Sequence, residues 1–332
     1  MIGIGIEITS SDLEETMRRT LPLLMVMLVC LTPVVHAGAP MDTGAGALFS
    51  GSGGSVVEAN TTTAMIADLG PVLEDYTATW CTNCVEVEDA LEDLVAEQGG
   101  HIFAFHRSIG EPEDPFGTDA LDERWEDRYE SRQAPTVVFN GTTLVRGSVP
   151  TGVSLLEDFR PLANTSLDLP SNGTSTFSWT AAEDNRTDVT WALTLPRSSI
   201  WNGHLVRLEA WVVEATATFP EGSNGQGTYP HIVRSITLLD EQVWEGAIAM
   251  GGTHELDLPT AFDGTDLEVH LVHNLVPRMI DPASPNETAQ PVSIAPEDDS
   301  ALPASSGGVT LLALALASRR GTRRPQGPVQ AE

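Results

Sequence analysis

Trp80-Cys81-Thr82-Asn83-Cys84 carries two of the three cysteines of this 332-residue chain. The third, Cys30, falls in a stretch that reads as a cleavable export signal, so an exported chain keeps only this pair. One pair with two residues between its members cannot staple a scaffold of this size. Redox chemistry, metal binding or a relic are the readings open to it. A structural zinc site wants four ligands, usually two such pairs, and the sequence offers no second pair.

The flanks favour redox chemistry. Val72-Leu73-Glu74-Asp75-Tyr76 reads as a buried strand, and Thr77-Ala78-Thr79 leads from it to the motif. Beyond Cys84, Val87, Ala90, Leu91, Leu94 and Val95 recur at helical spacing, with Glu86, Glu88, Asp89, Glu92 and Asp93 on the other face. Cys81 then stands at a helix N-terminus, where the macrodipole and free N–H groups favour a thiolate. Glu86, Glu88 and Asp89 work against that charge.

Downstream, Gln133-Ala134-Pro135-Thr136-Val137-Val138-Phe139-Asn140-Gly141 reads as a proline opening a β-branched strand that ends in an Asn-Gly turn. Together the two segments resemble the thioredoxin superfamily over about residues 61–163. Trp80-Cys81-x-x-Cys84 is similar to its active site and Ala134-Pro135-Thr136 to its cis-proline loop. The resemblance implies a cis Ala134–Pro135 bond facing the cysteines and a backbone edge for an extended substrate. It also places Asp75 where the family carries a buried acid that deprotonates the second cysteine; read by itself, Asp75 is equally a solvated strand-end carboxylate. Thr82-Asn83 matches neither the Gly-Pro of thioredoxins nor the His-containing pairs of strong oxidants, so the redox direction stays undefined. No cofactor and no metal are implied.

Composition sets the surroundings. All 17 basic residues are arginine, against 47 acids, for a net charge of −30. That balance excludes nucleic acid as a partner. It resembles salt-adapted surfaces, where screening tames the self-repulsion; arginine-rich codon usage explains the missing lysine but not the excess acid.

The ends read as targeting segments. Arg18-Arg19, the apolar run Leu21 to Leu31 and Val35-His36-Ala37 form a signal peptide within an upstream segment 1–37, cleaved before Gly38, with Met17 as its start. Residues 38–60 read as a linker. Residues 278–306 are a Pro- and acid-rich linker, and 307–332 combine a glycine pair, a short apolar core and Arg319-Arg320 through Arg323-Arg324. This tail resembles a C-terminal sorting or membrane-anchoring signal; a frayed end is the other reading. Asn-x-Ser/Thr sequons at Asn60, Asn140, Asn164, Asn172, Asn185 and Asn286 fit an exported glycoprotein.

Residues 174–277 offer seven candidate strands: 176–180, 189–195, 205–213, 232–239, 244–250, 254–258 and 267–273. The fold class expected is therefore an α/β thioredoxin-like domain followed by an all-β sandwich domain. This order resembles the twenty-eight-kilodalton outer-membrane protein family, whose second domain is matched by Pro230-His231-Ile232-Val233-Arg234 followed by Gly246. The histidines of this region lack chelate spacing. Trp179, Trp191, Trp201, Trp211 and Trp244 read as core more than as a sugar-binding strip.

The resulting expectation is an exported, membrane-associated thiol–disulfide oxidoreductase acting on protein thiols or disulfides, with an unidentified partner resetting the pair. Cys81 attacks, Cys84 resolves, Pro135 shapes the groove beside Trp80, and Asp75 moves a proton. The alternative is a cell-surface binding or structural protein that keeps the same fold as scaffold.

Overall fold

The computed structural model describes residues 38–108 and 113–278. The expected signal segment 1–37, the sequon at Asn286, the tail 307–332 and nearly all of the linker 278–306 lie outside the described residues.

The chain opens with β1 (Met41–Asp42), β2 (Ala47–Ser55) and β3 (Asn60–Met65). Then come β4 (Val72–Thr77), α1 (Thr82–Gln98), β5 (His101–His106) and α2 (Asp119–Tyr129). They are followed by β6 (Thr136–Phe139), β7 (Thr143–Arg146) and α3 (Leu155–Ala163). The remainder is β8 (Thr174–Trp179), β9 (Arg186–Leu195), β10 (Leu205–Thr218), β11 (Thr228–Val243), β12 (Ile248–Asp257) and β13 (Leu267–Val276).

These strands form two sheets. One has nine strands in the order β1-β7-β6-β4-β5-β11-β10-β13-β2, and the other four, β12-β9-β8-β3. Parallel and antiparallel pairs mix in the larger sheet: β4 runs parallel to β5 and antiparallel to β6. The expected succession of an α/β thioredoxin-like domain and a sandwich domain is overturned. The described residues are 44% strand and 17% helix, with three α-helices, and the large mixed sheet runs through both supposed domains.

The physical reason lies at three seams. The edge of β5 is covered by β11, where Ala104 pairs with Ile232 in parallel register. His231, just before that pairing, takes a φ of 58° in the left-handed region. Next, Ala47–Ser55 is no linker: it pairs antiparallel with β13, Leu48 opposite Asn274, and β3 pairs with β8. The β-rich half is thus assembled from sequence on both sides of the α/β segment. Lastly, α2 buries Leu121, Trp125 and Tyr129 against one cluster that draws on Val72, Tyr76 and Phe105 as well as Trp211, Val213, Val233 and Val272. No cut between the halves leaves that helix a complete apolar surface.

A polar network under α2 tightens the same seam. Glu74, fully buried on β4, accepts from the Tyr129 hydroxyl and lies 3.3 Å from Arg124 Nη1. Arg124 also stacks 4.7 Å over the Trp211 ring, and Trp211 Nε1 donates to Glu209 at 2.9 Å. Buried carboxylates of this kind persist only when paired and hydrogen-bonded.

On the opposite face of β4–β7, α1 and α3 pack over Leu73, Ile102, Val137 and Phe139. Strand alternation accounts for this division: Glu74 and Tyr76 look toward α2, while Leu73 and Asp75 look toward α1. A third core lies between the two sheets, containing Trp179, Trp191 and Trp244 with Trp201 packed against it. His273 bridges the sheets there, fully buried, with Nε2 3.1 Å from Ser175 Oγ and Nδ1 3.1 Å from the Phe49 carbonyl. Burial pushes its imidazole down to about 4, so it is neutral.

Candidate functional site

Strand β4 delivers the motif. Its last residue, Thr77, is followed by a turn in which the Cys81 N–H donates to the Ala78 carbonyl at 2.9 Å, and Cys81 becomes the N-cap of α1. Cys81 and Cys84 are joined as a disulfide with their Cα atoms 5.3 Å apart. Cys84 is fully buried and Cys81 is 5% exposed, while Thr82 and Asn83 between them face solvent.

The other expected residues gather here to different degrees. Trp80 and Ala134 both pack against the cluster of Ala78, Cys81 and Cys84. The Ala134–Pro135 bond is cis, and Pro135 is buried with its carbonyl taken by Gly147 N–H at 2.9 Å. Among the described residues, Ala134 itself makes no backbone hydrogen bond. The guanidinium of Arg107 lies 5.9 Å over the Trp80 ring. Of the acids that oppose a thiolate, Glu86 and Asp89 are exposed, whereas Glu88 turns inward.

Asp75 is not a solvated strand end. It is 1% exposed, and neither of its carboxylate oxygens has a hydrogen-bond partner. Burial, and then the negative charge of Glu88, raise it well above the ordinary carboxylate value. Asp75, Glu88, Glu92, His106 and His231 line a cavity of about 10 Å³, room for on the order of one water. Glu88 accepts from the Thr77 hydroxyl and from Gln226 Nε2, the latter at 2.8 Å. At the rim, His231 Nε2 sits 2.8 Å from Glu92 Oε1.

Several of these groups come from the β-rich half. The turn between β10 and β11 lies against the approach to the cysteines: Asn224 N–H donates to the Thr79 carbonyl at 3.0 Å, and the Tyr229 hydroxyl reaches it at 3.4 Å. From the other side, Asp114 Oδ2 accepts from Thr79 N–H at 2.8 Å and contacts His106 Nδ1 at 2.9 Å. Burial works to raise the Asp114 carboxyl, but His106 and the backbone donors prevail and hold it below its ordinary value.

Asp114, Asn224, Gln226, Tyr229 and His231 were absent from the residues expected from sequence. Only the Pro230–Arg234 segment carried a signal, as one of the matched stretches, and it gave no hint of lying beside Asp75. A buried acid with raised proton affinity, a cysteine pair at a helix start and an unpaired backbone at Ala134 can together support thiol–disulfide exchange.

No family model matches the sequence, and no curated protein matches it. Among solved structures, HBP35 of Porphyromonas gingivalis is similar with a TM-score of 0.43 and 17% identity, over 69% of this chain and 80% of that one. Protein AGR_C_4864 from Agrobacterium tumefaciens is similar with a TM-score of 0.37 and 16% identity, over 62% of this chain and 93% of that one. Likenesses this loose leave the reading of the chain to its own residues.

Proposed function

We propose that this chain is an exported thiol–disulfide oxidoreductase acting on protein thiols or disulfides. The observation that carries the proposal is the Cys81–Cys84 disulfide at the start of α1, with the unpaired backbone of Ala134 packed against it. In the reducing direction the Cys81 thiolate attacks one sulfur of a substrate disulfide. A mixed disulfide forms and one substrate thiolate leaves. Cys84 then attacks Cys81 Sγ, closing the Cys81–Cys84 bond and releasing the second substrate thiolate. The substrate gains two electrons and the pair loses two, and the oxidising direction is the reverse. Asp75, whose proton affinity is raised by burial, takes the Cys84 proton as a carboxylate in the reducing direction and returns it to the Cys84 sulfur in the oxidising one. An extended substrate strand pairs with the Ala134 backbone.

The slight exposure of Cys81 favours a second reading, in which the disulfide is a structural clip and the fold presents a binding surface. One assay separates the two. The chain should reduce insulin in the presence of dithiothreitol or reactivate scrambled ribonuclease, with Cys81→Ser abolishing turnover and Cys84→Ser trapping a mixed disulfide. Activity that is absent, or unchanged in both variants, leaves the binding reading. Export rests on the residues before Gly38 and is tested by terminal sequencing of secreted protein; retention of residues 1–16 overturns it.

A further inference from the structure

Three carboxylates converge where β10 meets the loop between β12 and β13. Glu214, Asp263 and Asp266 each bring an oxygen to within 4.8 Å of the others. Each is also held by backbone donors. Glu214 Oε1 accepts from Phe262 N–H at 2.7 Å and Asp263 N–H at 3.1 Å. Asp263 Oδ2 accepts from Thr218 N–H at 2.8 Å, and Asp266 Oδ2 from Thr216 N–H at 2.9 Å.

Their remaining oxygens are less well served. Glu214 is 0% exposed, yet its Oε2 accepts no hydrogen bond, and the same holds for the buried Oδ1 of Asp266. Arg234 Nη1 is the cation nearest to hand, 3.5 Å from Glu214 Oε2 and without a hydrogen bond of its own. A buried acceptor left unpaired is costly, and more so when charged; Glu214 Oε2 has only the Arg234 ion pair, and Asp266 Oδ1 lacks even that. Three carboxylates against one guanidinium leave two negative charges, which one divalent cation neutralises.

We propose that Glu214, Asp263 and Asp266 bind a single divalent cation, calcium by donor set and size. All the donors are oxygen, the preference of hard cations and not of zinc or copper. Oxygens up to 4.8 Å apart are spanned by a cation with bonds of ~2.4 Å, the length calcium takes, whereas magnesium demands ~2.1 Å and a tighter octahedron. Gly264, with φ 63°, turns the Asp263-Gly264-Thr265-Asp266 loop so that both aspartates face β10. Water fills the remaining coordination positions.

The test uses the full chain stripped of metal and held in high salt, which suppresses diffuse binding to the acidic surface. Calorimetric titration with calcium chloride should show one saturable site, with a dissociation constant on the order of 10⁻⁴ M, and calcium should raise the melting temperature. Asp266→Asn and Glu214→Gln each keep an acceptor for the backbone donors, so both should fold while weakening calcium binding at least about tenfold. Magnesium should compete poorly. A titration with no saturable site overturns the proposal. So does binding of equal strength in both variants, which would place the ion elsewhere on the acidic surface.

Discussion

Cys81 and Cys84 differ in what a reagent can reach. Cys81 retains 5% exposure and caps α1, while Cys84 is enclosed. After reduction and a brief pulse of iodoacetamide, peptide mapping should find label on Cys81 first; preferential labelling of Cys84 would reverse the assigned roles. Asp75 gives a second residue-scale expectation. Its carboxyl is raised well above 3.8 in the folded chain, so the native state holds a proton that the unfolded state gives up. Stability contributed by this group is therefore present at low pH and lost as pH rises from about 4 through the elevated value. Asp75→Asn should melt higher than wild type at pH 7, the gap narrowing as pH falls toward 4. A gap that is constant or widens on acidification would contradict the burial argument. If Asp75 also moves the proton of Cys84, the same variant should slow disulfide exchange while gaining stability.

At the scale of elements, the turn joining β10 to β11 is a brace for the cysteine loop. Asn224 Oδ1 accepts from the Tyr229 hydroxyl at 2.8 Å and from Gln226 N–H at 3.0 Å. Asn224→Ala strips a buried hydroxyl of its better acceptor and should cost about 1–3 kcal/mol in urea denaturation. A loss under ~0.5 kcal/mol would mean that the brace is incidental. Most elements were legible one at a time. Apolar spacing after Cys84 announces α1, and Leu121, Trp125 and Tyr129 stand at the same helical spacing in α2. Sequence reading failed where pairing decides. Strands expected at 244–250 and 254–258 are one strand, β12, because Gly251-Gly252 reads as a turn yet pairs in register with Ala192 and Trp191. A Cβ on Gly252 would meet the Trp191 ring at 2.7 Å, so glycine is there for an aromatic neighbour 61 positions away in a register that no local pattern reveals. Likewise the Ser/Gly-rich stretch from Ser50 to Ser55 has the composition of a linker, and only its partner β13 makes it a strand. The cysteines, Pro135 and Asp75 could be named from sequence. Asn224, Tyr229 and His231 could not, because their approach depends on β11 docking beside β5.

The whole molecule should behave as one cooperative unit. The nine-stranded sheet takes strands from both the α/β segment and the β-rich half, and α2 rests on strands from both. Urea unfolding of residues 38–278 should show a single transition in which tryptophan fluorescence and far-ultraviolet circular dichroism coincide. Two separated transitions would restore the picture of independent domains. A fragment ending at residue 170 retains the cysteine motif and the cis-proline loop but lacks the strands that cover β5 and pair with β2. It should be protease-sensitive and inactive; a folded, redox-active fragment would show that the α/β segment stands alone.

The pairing of β2 with β13 also dictates an order of events during synthesis. His273 and Phe49 meet across 224 positions of sequence, so a strand made near the beginning finds its neighbour only when the last described strand has been made. Contacts so distant in sequence slow folding, since the intervening loop must close first. Throughout that interval β2 has no companion on its β13 side. A hydrophobic strand left in this state would seek any open edge, including that of another nascent chain. The segment Ser50-Gly51-Ser52-Gly53-Gly54-Ser55 has little to offer such an encounter. Its plainness lets the strand remain uncommitted until His270, whose ring leaves no room for a side chain at Gly53, arrives to claim the place.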